Sequence, residues 1–139
     1  MKPRLPPGAP DVVELAGLLF MARAVGDEWP AVREELREAF LLSRAAMQSG
    51  EPIVYAVHND DLLGRRGVGS AMVACGLLSA ARTAALEASK AGISVNVLAM
   101  EESTPWETVI DWAELLMARS IPTGELIHLG TGHVGKALP

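Results

Sequence analysis

The sequence predicts an α/β fold: a mainly parallel sheet of about four strands, with crossover helices completing three layers. Two observations predict it. Short apolar runs at 52–58, 93–100 and 126–129 alternate with longer stretches of helical periodicity at 29–48, 70–90 and 105–119. Half of the 139 residues are hydrophobic and only 21% are charged, enough apolar material for a packed core. Strands that alternate with helices imply right-handed crossovers and parallel pairing.

Residues 1–10 carry Pro3, Pro6, Pro7 and Pro10, and read as an extended, mobile arm ahead of one domain at 11–139. Residues 11–25 admit two readings. Val12, Val13 and Leu15 form a buried strand ending at Ala16-Gly17, or Asp11 and Glu14 cap a helix that stops near Gly26. Over 29–48, Val32, Leu36, Phe40, Ser43 and Met47 make a helical stripe, with Pro30 in the first turn and Gly50 as the stop. The run 52–58 reads as a buried strand, and 59–69 as a polar loop. The next helix, 70–90, carries Leu77, Ala81, Ala84 and Ala88 on one stripe and ends at Gly92. After the strand at 93–100, Thr104-Pro105-Trp106-Glu107 has the form of a capping box. Trp106, Val109, Ile110, Ala113, Leu116 and Met117 give the following helix its apolar face. Leu126 to Leu129 is a last strand, and the glycine-rich tail from Gly130 is expected to wrap a surface.

Composition excludes several classes. The net charge is -5 with acids and bases interspersed, so no basic stripe marks a nucleic-acid binder. The single cysteine, Cys75, forms no intramolecular disulfide, which suits a reducing cytoplasm. The N-terminus does not read as a signal peptide, and the expectation is no membrane span.

Three stretches carry a family resemblance. Arg82-Thr83-Ala84-Ala85-Leu86-Glu87 followed by Gly92-Ile93-Ser94-Val95-Asn96-Val97-Leu98-Ala99 is similar to T-R-S-L-A-x-E and G-I-R-V-N-x-V-A of the short-chain dehydrogenase/reductase family. Thr123-Gly124-Glu125-Leu126-Ile127 resembles its T-G-x-x-I, and residues 11–17 resemble its D-V-L-V-N-N-A-G. The resemblance covers most of residues 11–132, and implies a partial Rossmann-like fold built from the family's C-terminal half.

What the resemblance implies about chemistry is mostly loss. The glycine-rich turn that cradles the cofactor pyrophosphate has no counterpart here, so the chain is expected to bind no cofactor, with NAD(P) left to a partner subunit. The family's catalytic tyrosine falls at Ser70 and its lysine, four residues on, at Ala74. The catalytic serine falls near Val57 or His58, the helix asparagine near Glu35 or Leu36, the paired asparagines at Glu14 and Leu15, and the proline-glycine at Met100-Glu101. A proton donor needs a neighbouring cation to bring its pKa toward neutrality, and Ser70 with Ala74 supplies neither. Tyr55, the only tyrosine, lies inside a strand and reads as packed.

The family's assembly surfaces, by contrast, have counterparts. The resemblance implies subunit contacts through the helices at 29–48 and 70–90, with Phe40, Arg44, Met47, Leu77, Ala81 and Ala84, and through the last helix, with Trp106 and Ile110. In the full fold another strand covers the first strand of this half. Here the arm, a partner or a helix must do so.

Other groups carry weaker chemistry. His58 could shuttle a proton, Asn59-Asp60-Asp61 could hold a cation, and Cys75 with His58 could form a nucleophilic pair. Loop residues and a core cysteine explain them more simply. Gly64, Gly67 and Gly69 read as a plain loop, His128 and His133 as non-convergent, and Trp106 and Trp112 as interface or core. The sequence thus leads to a non-catalytic subunit that assembles with a full-length short-chain dehydrogenase/reductase. The alternatives are a homo-oligomeric small-molecule binding module, or an unorthodox enzyme using His58 or Cys75.

Overall fold

The computed structural model describes residues 1–12 and 14–131. Four strands form one sheet in the order β1-β2-β3-β4, every neighbouring pair parallel. They are β1 (Leu18–Met21), β2 (Ile53–His58), β3 (Val95–Met100) and β4 (Leu126–Leu129). The helices are α1 (Trp29–Gln48), the single turn α2 (Asn59–Leu62), α3 (Val68–Ala88) and α4 (Trp106–Met117). Most of these elements begin within a few residues of where the hydrophobic pattern places them.

Alternation along the strands divides the core. Leu18, Phe20, Ile53, Tyr55, Val57, Val95 and Val97 face α1 and α3. Leu19, Met21, Val54, Ala56, Leu98 and Met100 face α4. Both faces are covered, which is why the strands read as continuous apolar runs. The first two crossovers place α1 and α3 on one face, and the third places α4 on the other. In a sheet of this order the third therefore has the opposite hand, so the expected uniform right-handedness does not hold. The exception lays the apolar face of α4 over Val54, Ala56, Leu98 and Met100, which would otherwise meet water.

Among the described residues of 11–17 there is neither a strand nor a helix. The first strand begins after Gly17, not before it. A β-carbon at Gly17 would lie 2.2 Å from the Pro52 carbonyl oxygen, so a glycine is required where the chain closes on the start of β2. The matched segment at 11–17 is thus displaced from the strand. Val13 lies outside the described residues.

The arm covers the edge of β1. The Arg4 amide donates to the Leu19 carbonyl and the Met21 amide to the Arg4 carbonyl, each at 2.9 Å. Arg4 is buried. Its guanidinium forks onto Glu35, with Nη1 2.8 Å from Oε1 and Nη2 bonded to Oε2. Nη2 also reaches Glu38 at 2.9 Å, Nη1 donates to the Met21 carbonyl at 2.8 Å, and the cation lies 4.5 Å from the centre of the Phe20 ring.

That network turns α1. The buried positions are Val32, Glu35, Ala39, Ser43 and Ala46, so the stripe drawn through Phe40 is rotated and Phe40 faces outward, 63% exposed. Thr104 is also not a helix cap. Its hydroxyl donates to the Leu129 carbonyl at 2.6 Å and accepts from the Glu101 amide, tying β3 to β4. Among described helices, only the stretch Val68–Ala91 is long and apolar enough to cross a membrane, and half of its apolar window is buried in the fold.

Candidate functional site

Ligands of open α/β sheets collect beyond the carboxyl ends of the strands. Here internal bonds tie α3 to the loop after β1 at that end. The Ser70 hydroxyl donates to the Val25 carbonyl at 3.1 Å and accepts from the Val25 amide, so it serves as a clamp between α3 and the loop after β1. Ala74 is buried in the core beneath α3. Gly69 lets α3 approach the turn at Gly26, where a β-carbon would lie 2.3 Å from the Gly26 carbonyl oxygen. The Gly69 amide is taken by Asp27 Oδ1 at 3.1 Å.

His58 ends β2. Burial, then the nearby Arg66, pushes its pKa down against the opposing pull of Asp61, Glu102 and Asp60. The acids that could have held a cation answer to arginines instead. Asp61 Oδ1 accepts from Arg66 Nε at 2.9 Å, and Asp60 pairs with Arg65 at 3.3 Å. Cys75 is exposed on α3, in a shallow depression with Gly64, Gly67, Val68 and Met72, and no hydrogen bond joins it to His58 among the described residues. His128 lies 3.3 Å from Glu101, and His133 is outside the described residues, as is the tail beyond Thr131.

An elongated, mainly apolar concavity lies on the α1–α3 face. A groove of about 620 Å³ runs between the helices down to the sheet. Leu36, Ala39, Met47, Leu77 and Ala84 line it, small Gly76 and Ala80 leave it open, and the exposed Arg44 and Glu87 also border it. Its lining includes two buried hydroxyls, Ser43 Oγ and Tyr55 Oη, 2.6 Å apart. Burial raises the Tyr55 pKa, so the phenol stays protonated. The ring meets Phe20 edge-on at 6.4 Å. The sequence signalled this pocket only faintly, through the small residues of α3 and a lone tyrosine on an α1-facing strand position.

The residues expected at subunit contacts divide. Phe40 and Arg44 are exposed, and Met47 and Ala84 are half-buried along the groove. Leu77 and Ala81 face the sheet, at 2% and 1% exposure, so their side chains are committed to this chain's own core. Trp106 and Ile110 pack partly against the α4 side of the sheet, while Trp112 is exposed. Of the large apolar residues left exposed, Trp29, Phe40, Leu41, Val68, Met72 and Leu86 all lie on α1 or α3.

This arrangement defines an α/β protein with a short-chain dehydrogenase/reductase-like fold. Solved structures with that fold superpose on it. They include 3-hydroxyacyl-CoA dehydrogenase type-2 from Mycobacterium avium, with TM-score 0.65 and 15% identity over 81% of this chain. Enoyl-[acyl-carrier-protein] reductase (NADH) from Aquifex aeolicus VF5 matches with TM-score 0.67 and 17% identity over 83% of this chain. The chain spans 66% and 61% of their lengths, less than two thirds of either. Neither a family model nor a curated protein matches the sequence.

Proposed function

We propose that this chain is a non-catalytic subunit that assembles with a full-length, NAD(P)-dependent short-chain dehydrogenase/reductase and stabilises or regulates it. The observation that carries the reading is the outward face of α1 and α3. Six of the large exposed apolar side chains lie on these two neighbouring helices, more than on any other described element. The chemistry at the positions matched to the family's catalytic residues supports it. Ser70 is tied to backbone and Ala74 is buried among apolar side chains, so neither offers a proton donor beside a cation. The partner would hold the nicotinamide and perform the hydride transfer.

The test is the mass and composition of the native complex, purified gently from the chain's own host by a tag. A dehydrogenase-length partner at fixed stoichiometry is expected, lost with Phe40→Glu while the variant stays folded. A homodimer alone would overturn the reading.

A further inference from the structure

We infer that the groove between α1 and α3 binds an uncharged, mainly apolar small molecule bearing one hydrogen-bond-accepting oxygen, which the Ser43–Tyr55 hydroxyl pair receives. The inference goes beyond the assembly reading and does not rest on it.

Hydroxyl arithmetic selects the ligand. Two hydroxyls bring two donor protons, and their mutual bond uses one. The other has no acceptor among the described residues. Ser43 is 8% exposed and Tyr55 2%, and both line the groove, so a ligand seated there displaces solvent from this proton and must itself accept it. A buried donor without a partner is costly, and a ketone, ester or ether oxygen entering the groove satisfies it. The volume suits a drug-sized molecule, since ligand pockets commonly enclose about 300–1,000 Å³. The walls offer apolar contact, and the bordering Arg44 and Glu87 carry opposite charges, so neither a cation nor an anion gains a net advantage. Phe20 and Tyr55 pack edge to face, which holds the phenol in place before anything binds.

The pair also predicts an unusual mutational logic. Ser43→Ala leaves the tyrosine proton free, and Tyr55→Phe leaves the serine proton free. Each single variant therefore keeps a donor for the ligand, and only the double variant loses it.

The probes are 1-tetralone and its hydrocarbon counterpart tetralin, titrated into the isotope-labelled full chain and followed by amide NMR. Shifts should map to α1, β2 and α3 around the groove, and the ketone should bind about five-fold more tightly, the worth of one neutral hydrogen bond. Either single variant should keep that ratio, and the double variant should bring it near one. Ala84→Leu, which fills the groove, should abolish binding of both probes and serves as the test should the double variant fail to fold. Equal affinities in the parent chain, a ratio that survives in the double variant, undiminished binding to Ala84→Leu, shifts mapping elsewhere, or no binding at all would each overturn the inference.

Discussion

Replacing Arg4 with alanine should cost this protein a large part of its stability. The substitution removes a fork of two bonds to Glu35, the bond to Glu38, a donor to the Met21 carbonyl and the cation over Phe20. Glu35 is only 4% exposed, so its carboxylate would remain in the interior with the Arg23 amide, at 2.8 Å, as its remaining hydrogen-bond donor. Breaking a buried pair from one side costs about 3–5 kcal/mol. With a urea m-value of about 2 kcal/mol/M, the unfolding midpoint should fall by about 2 M. If the arm instead lifts away, water reaches Glu35 and the loss shrinks, at the price of an uncovered β1 edge. Two controls separate these outcomes. Lys2→Ala, on the exposed side of the same arm, should change little, and Arg4→Met with Glu35→Met should recover most of the loss, since a buried pair often yields to apolar residues without penalty. Urea unfolding followed by circular dichroism reads all four proteins. A loss below about 1 kcal/mol in Arg4→Ala would refute the account and reduce the network to a surface-grade ion pair.

Acidity should act through His58, whose pKa in the folded chain lies below its ordinary value. The unfolded chain takes up the proton first, so stability from this group is complete above about pH 6.5 and declines as the pH falls through that value. His58→Gln should remove that step from a stability-against-pH curve. Glu38, held low by its bond to Arg4, contributes stability that is lost at more acidic pH, and Arg4→Ala should flatten that region. Gly69→Ala should destabilise by about 1–3 kcal/mol in thermal unfolding, because its β-carbon would meet backbone rather than a movable side chain. Asn96→Ala should cost about 2–4 kcal/mol by the same measure, since the fully buried amide donates to the Pro122 carbonyl at 2.8 Å and accepts from the Glu125 amide at 3.1 Å.

The fold was largely legible because burial on both faces writes strands as apolar runs. Ile53–His58 and Val95–Met100 could hardly be anything else between stretches of helical periodicity. Leu18–Met21 escaped because the family-like segment just before it drew the candidate strand to residues 12–15, ahead of Gly17, and nothing local reveals that Gly17 must slip past Pro52. The face of α1 was misjudged at Phe40 because a charged residue ordinarily faces water. Contact with Arg4, 31 residues earlier, and with the Arg23 amide makes Glu35 an inward residue. The pocket was only faintly signalled for a related reason. Ser43 and Tyr55 lie on different elements, and their shared proton depends on where α1 comes to rest over β2.

The arm also sets an order of events during synthesis. Arg4 is made long before the groups that hold it. Its place beside Leu19 and Met21 becomes an edge only when β2 has paired with β1, and its charge is matched only after Glu35 and Glu38 have left the ribosome. The residues of the arm therefore settle only after the chain through β2 has emerged. Until they do, the growing chain carries an open strand that the finished protein never displays.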